Sequence, residues 1–130
     1  VIVIDASALI DALLDPERVP QVQAAFENEN SPVIAPSVID LEVAQTFRRM
    51  VRAQEILPTR GVSALQSMAL LPLERVHHVN FIQRIWELRD NATAYDAVYI
   101  ALAEHLEAPI MTTDRKFEGI AAHNAKIVLI

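Results

Sequence analysis

Residues 97–103, Ala-Val-Tyr-Ile-Ala-Leu-Ala, carry no charge. They fall inside a stretch, 91–104, that reads as a helix apolar nearly all round. Such a helix is buried on every side, so the rest of the chain must be organised around it. Asp96 enters this helix near its start, in what should be core. An unpaired buried carboxylate is costly; it takes a partner, a metal or a proton. Thr93-x-x-Asp96 also fits a capping box, and acids are favoured in a first helical turn. The helix alone leaves both readings open.

The surrounding pattern supplies the layers that would bury it. Val1–Ile4 is a β-branched run that ends at Asp5, and Ala8–Leu14 reads as a short helix closed by Asp15-Pro16. Val19–Asn28 is an amphipathic helix with Val22, Ala25 and Phe26 inward, and Pro32–Ala35 a second strand. Pro36-Ser37 opens a long helix to about Ala53, with Ser37-x-x-Asp40 as its capping box. Pro58 starts a helix running to about Ser67. Ala69–Leu73 reads as a strand, placed at an edge by Pro72. His77–Arg89 reads as a helix with Phe81, Ile85 and Leu88 on one face. Pro109–Thr112 is a strand ending at Thr113-Asp114, Lys116–Ala121 a helical turn, and Lys126–Ile130 a final buried strand. Strands alternating with helices predict βαβ units and a mostly parallel sheet covered on both faces. At 130 residues the chain fits one domain, 1–130, which would bury about two thirds of its unfolded surface.

Four acids stand out by position. Asp5 and Asp114 each follow a strand directly. In a parallel sheet the strand C-termini share one edge, and ligands bind in the crevice beyond it. Either acid could instead cap the next helix, although Ser7 is available to cap in place of Asp5. Glu42 lies beside the apolar stripe Ile39, Val43, Phe47 and Met50 rather than opposite it; it points to a cleft, or is a boundary residue reaching for solvent. Asp96 is the fourth. Four carboxylates in one crevice would repel one another and raise one another's pKa, so such a cluster is stable near neutral pH mainly with a cation inside. Oxygen ligands and the absence of cysteine point to Mg²⁺ or Mn²⁺. The fitting chemistry is metal-assisted phosphoryl transfer, in which the metal lowers the pKa of a water and clamps the scissile phosphate.

Composition removes other classes. With no cysteine there is no disulfide or thiolate metal site. The two glycines cannot build a phosphate-cradling loop. His77, His78, His105 and His123 lack zinc-ligand spacing, and no G-x-S-x-G motif is present. The net charge of −6 is wrong for a simple electrostatic binder of nucleic acid, so local cations would have to offset the acids. Val1–Ile4 is too short for the apolar core of a secretory signal. No apolar run approaches the ~18–20 residues that span a bilayer, and the expected setting is cytoplasmic, without a membrane.

Four stretches together carry a resemblance. Val3-Ile-Asp5-Ala-Ser7-Ala-Leu9, Asp40-Leu-Glu42-Val43, Asn91 to Glu104 with its Tyr-Asp96-Ala-Val-Tyr core, and Met111-Thr-Thr-Asp114-Arg-Lys-Phe117 resemble the PIN-domain ribonucleases. The closest likeness is to the VapC toxins of type II toxin–antitoxin modules, and it covers the whole chain. The resemblance implies a three-layer α/β/α fold with a five-stranded, mostly parallel sheet. It implies Mg²⁺-dependent endoribonuclease activity, with Mn²⁺ able to substitute, usually against structured RNA such as tRNA. It also implies a homodimer and inhibition by a cognate antitoxin. Carried over by position, Asp5, Glu42, Asp96 and Asp114 form the acidic site. Asp5 and Asp96 would be the direct metal ligands, supported by Ser7 and Thr112, and Arg115 and Lys116 would meet RNA phosphates. Arg48, Arg49 and Arg52 form a basic cluster on the long helix that would hold RNA, pair across a dimer or face solvent. Two alternatives remain: a receiver- or phosphatase-like phosphotransfer domain with Asp5 as acceptor, and a non-catalytic binding module of the same fold.

Overall fold

A computed structural model describes residues 1–130. The chain runs β1 (Ile2–Ile4), α1 (Ala6–Leu14), a 3-10 turn (Pro16–Arg18), α2 (Pro20–Glu27), β2 (Val33–Pro36), α3 (Ile39–Arg52) and α4 (Pro58–Leu70). It continues through β3 (Leu73–Val76), a 3-10 turn (His78–Phe81), α5 (Ile82–Glu87), α6 (Ala94–Leu106), β4 (Ile110–Thr112), a 3-10 turn (Arg115–Gly119) and β5 (Ile127–Leu129). The five strands form one sheet in the order β3-β2-β1-β4-β5. Every neighbouring pair is parallel.

Strand pleating sorts the core into two halves. Successive side chains on a strand point to opposite faces. Accordingly Ile4, Val33, Ala35 and Met111 join one apolar cluster with Leu9, Val22, Ile39, Val43, Phe47 and Met68 from α1 to α4. Val3, Ile34 and Ile110 join the other, with Phe81, Leu88, Phe117 and all of Ala97–Ala103 from α6. The result is the three-layer α/β/α arrangement. Helix α6 lies across the centre of the sheet, against β2, β1 and β4. Its uncharged run is buried throughout, at 3% exposure or less, as the sequence demands. Glu107, in the left-handed region at φ 51°, ends it.

Several local expectations are corrected. The third strand is Leu73–Val76, not Ala69–Leu73. Helix α4 instead runs on to Leu70, because Ala64 and Met68, four residues apart, keep one helical face buried. Pro72 stands just ahead of the strand, which is an edge as expected; its Glu74 and Arg75 are the charges that keep an edge from pairing further. The Ser37–Asp40 capping box does not form. Helix α3 starts from Val38 with no side-chain cap. Ser37 Oγ donates to the Val76 carbonyl at 3.3 Å, and Asp40 pairs with Arg75 at 2.8–3.2 Å. The 77–89 helix is a 3-10 turn followed by the shorter α5. Strand β5 is half-buried rather than buried, since it forms the second edge.

Candidate active site

The order β2-β1-β4 places the first strand at the sheet centre. The chain leaves β1 toward one side and returns to the other, so the crevice beyond β1 and β4 is a topological switch point. Register pairs Ile4 with Met111, and the Asp5 amide donates to the Met111 carbonyl at 3.2 Å. Asp5 and Thr112 therefore meet at that crevice.

Asp5 is 4% exposed and Thr112 fully buried, and hydroxyls satisfy the carboxylate. Thr112 Oγ1 donates to Asp5 Oδ2 at 2.9 Å and accepts from the Asp114 amide at 2.9 Å. Ser7 Oγ accepts from the Thr113 amide at 3.1 Å. It lies 2.8 and 2.9 Å from the two Asp5 oxygens, so its single proton goes to one of them. The Ala8 amide donates to Asp5 Oδ1 at 3.0 Å. Asp5, not Ser7, is thus the cap of α1, while Ser7 and Thr112 brace the carboxylate. Burial raises the Asp5 pKa; these hydrogen bonds work against the rise, and the Asp114 charge adds to it.

The other acids arrive from helices and from the turn after β4. Glu42, in the first turn of α3, accepts from the Tyr99 hydroxyl at 2.7 Å. Burial raises its pKa, the Tyr99 hydrogen bond opposes that, and Asp96 and Asp5 push it further up. Tyr99 is 1% exposed, with its ring edge-on to Phe117 at 6.4 Å. Burial, then the Glu42 charge, holds its phenol well above the ordinary value, so it stays a donor. Asp96 lies in the first turn of α6, where its amide donates to the capping Thr93 Oγ1 at 3.2 Å. Asp114 caps the following 3-10 turn by accepting from the Lys116 amide. The capping readings of Asp5, Asp114 and Thr93 therefore hold alongside the crevice reading.

Asp5, Glu42, Asp96 and Asp114 line one pocket of about 340 Å³, together with Ser7. Two of its other walls, Asp11 and Tyr99, are not among the site residues expected from the sequence. Asp11 is a fifth acid, one helical turn beyond Ser7 on α1, and that four-residue spacing was a usable signal. Tyr99 was read only as apolar filling. All three arginines of the α3 cluster are exposed, and Arg49 is the one that lines the pocket, donating to Thr46 Oγ1 at 3.2 Å. Lys116, expected to point at substrate, turns inward: its Nζ stands 3.3 Å from Asp96 Oδ1 and 3.2 Å from Asp114 Oδ2. Arg115 remains exposed.

The donor set suits a hard divalent cation, since it is all oxygen. No three carboxylates converge closely enough to chelate one between them. Mg²⁺ tolerates that: it keeps several waters and is usually held through one or two carboxylates. Two of the acids already converge on a positive charge, the Lys116 ammonium.

A family model described as the PIN domain matches residues 2–123. The chain is 34% identical over 129 residues to Ribonuclease VapC9 of Mycobacterium tuberculosis, covering 99% of this chain and 98% of that protein. It is also 34% identical over 129 residues to Ribonuclease VapC1 of the same species, with 98% and 96% covered. Among solved structures it is similar to VapBC2 from Rickettsia felis bound to a DNA fragment from its promoter, at a TM-score of 0.71 and 13% identity, covering 98% of this chain and 97% of that one. It is similar as well to M. tuberculosis VapC20, described as a sarcin–ricin loop cleaving toxin, at a TM-score of 0.62 and 13% identity, with 95% and 100% covered. At that identity the two structures establish a shared fold alone.

Proposed function

We propose, from the premise that this chain belongs to the PIN domain family, that it is a divalent-metal-dependent endoribonuclease and the toxin of a type II toxin–antitoxin pair, cutting structured RNA such as tRNA. The observation that carries this reading is the pocket at the C-terminal edge of the parallel sheet, where Asp5, Glu42, Asp96 and Asp114 face one space. In this reading Asp5 and Asp96 hold Mg²⁺, or Mn²⁺ in its place. The bound cation would supply Lewis-acid polarisation of a phosphodiester oxygen and a more acidic water. Asp5 contributes a fixed negative oxygen, because its hydroxyl and amide donors leave it one orientation. Glu42, held by Tyr99, and Asp114 orient the attacking water and accept its proton. That water attacks phosphorus in line as the bond to the departing ribose oxygen breaks, and that oxygen takes a proton from solvent at the open pocket mouth. Arg49 at the pocket wall and Arg115 outside it meet neighbouring phosphates. The cognate antitoxin and a second copy of the chain are the proposed protein partners, on the model of relatives described as VapBC and toxin–antitoxin complexes. The phosphotransfer alternative has less support, since Asp5-Ala6-Ser7 lacks the second acid of a phosphatase-type Asp-x-Asp loop.

The test is cleavage of purified cellular RNA with Mg²⁺ and with chelator, read by mapping new 5′ ends. Wild type with Mg²⁺ should cut at defined positions. Asp96→Asn should lose more than about 100-fold in rate, beyond the 10–100-fold seen when groups outside a metal's direct contacts are removed, with its circular dichroism unchanged. A variant that still cuts at the wild-type rate would sink the reading.

A further inference from the structure

Lys116 is not placed like an ordinary surface lysine. Its ammonium bridges two elements, the start of α6 through Asp96 and the turn after β4 through Asp114, at 3.3 and 3.2 Å. It is the only ammonium among the residues lining the acid pocket, where five acids face two cations. Arg49, the other cation, is turned to the Thr46 hydroxyl. Partial burial works against the charged form, but Asp96 and Asp114 outweigh it and the pKa of Lys116 is raised.

The two ends of this side chain differ in how firmly they are held. Its backbone is pinned, with the Lys116 amide donating to Asp114 Oδ1 at 3.0 Å and the adjacent Phe117 buried at 1% exposure. The side chain is 56% exposed, while the Asp96 side chain it reaches is only 13% exposed. A lysine stem of four carbons that is this open to solvent can swing out without moving any backbone. The charge arrangement makes that swing consequential. A divalent cation taking an Asp96 oxygen would sit beside a positive ammonium bound to the same carboxylate. Two cations on one oxygen repel, and the tethered, flexible one is the one free to leave.

We infer that Lys116 is a resident counter-ion of the acid pocket, which holds the place of the divalent cation in the metal-free protein and, once displaced, becomes a phosphate-binding side chain for the RNA. The inference rests on the proposed function and names how its site is regulated. Without metal, the ammonium relieves repulsion between Asp96 and Asp114. With metal, those acids are neutralised by a stronger charge. The displaced ammonium stays tethered at the pocket mouth, and the nearest anion it can meet is the substrate phosphate, for which a lysine acts as a point charge. Metal binding and substrate contact are thereby coupled through one side chain.

The experiment compares wild type with Lys116→Met, which keeps most of the stem and removes the charge, and with Lys116→Arg, which keeps the charge. Mn²⁺ affinity is measured by titration calorimetry without RNA, and melting temperature with and without Mn²⁺. Lys116→Met should bind Mn²⁺ at least about fivefold more tightly, the low end of coupling between sites that influence each other. Its metal-free melting temperature should fall, so that the shift produced by Mn²⁺ grows. Lys116→Arg should stay near wild type in both. In RNA cleavage Lys116→Met should raise KM, and Lys116→Arg should recover part of the loss. If wild type binds Mn²⁺ and Lys116→Met binds it no more tightly, the counter-ion role is overturned while the metal-dependent reading stands. An unchanged KM overturns the phosphate-binding role. If neither protein takes up Mn²⁺, both the inference and the metal-dependent reading fall.

Discussion

The two halves of the acid pocket are built differently. On the sheet side, Asp5 is buried and tied to Ser7, Thr112 and the Ala8 amide, and the strand ends that carry it are paired on both sides. On the helix side, Glu42 has one protein donor, Tyr99, and the Asp96 carboxylate is met by Lys116 alone. Charge-assisted hydrogen bonds from several donors fix a carboxylate's orientation. A carboxylate with one long, flexible partner keeps its freedom. The sheet side is therefore a preset anchor and the helix side an adjustable wall. A site that must take up and release a cation gains from having one of each.

The largest effect should come from removing the anchor and the wall acid in turn. Asp5→Ala removes a helix cap and leaves buried hydroxyls without an acceptor, which together cost about 2–3 kcal/mol after allowing for the relief of a buried charge. Asp96→Asn keeps the side chain's shape and removes repulsion and a pair whose lysine is exposed, and should change stability by less than about 1 kcal/mol. Both should abolish cleavage, so chemical denaturation separates the anchor from the wall where activity cannot. Equal stabilities for the two variants would erase the distinction.

A smaller effect is expected on the helix side from Tyr99→Phe, which deletes one hydroxyl and leaves the ring against Phe117. Loss of a hydrogen bond to a charged group costs about 1.5–3 kcal/mol, less what Glu42 recovers from water. A fall in kcat with KM unchanged would show that Glu42 orientation matters to the reaction; melting temperature alone would not.

The smallest is a slope with pH. Asp5 and Glu42 both have folded-state pKa values above their ordinary 3.8 and 4.5. A carboxyl that holds its proton more tightly when folded binds more protons in the native state. Its contribution therefore weakens as pH rises from those ordinary values through the raised ones, and levels off above them. Metal-free protein should lose stability across that window, and saturating Mg²⁺ should flatten the loss by favouring the ionised acids. A melting curve rising through the same window without metal would contradict the raised values.

Much of this was legible in the sequence because it is local. Short β-branched runs ending in an acid mark β1, and the apolar run 97–103 marks the central helix without help from any other residue. Asp5 and Asp114 were visible from their places at strand ends. Three of the failures share one cause, a partner far along the chain. Asp40 looks like half of a capping box, but Arg75 takes it. Tyr99 looks like core until Glu42, 57 residues away, gives its hydroxyl a purpose. Lys116 beside Asp114 reads as a contact for RNA phosphates, and only the fold brings Asp96 within its reach. The misplaced third strand is a different case. Ala69–Leu73 is an apolar run that suits either state, while Leu73–Val76 carries its charges because it is an edge.

The hydrogen bond between Asp5 and Thr112 spans 107 residues, and that length has a consequence for biosynthesis. Strand β1 is the middle strand of the sheet, and during synthesis it waits with one flank open until β4 follows. Contacts this distant form late in folding. Until residue 112 is in place, Asp5 lacks a bracing hydroxyl, Asp114 does not exist, and the pocket has no sheet-side wall across from α3. A chain cut short before residue 112 therefore lacks the completed site, which is assembled only once β4 and the turn after it have joined β1.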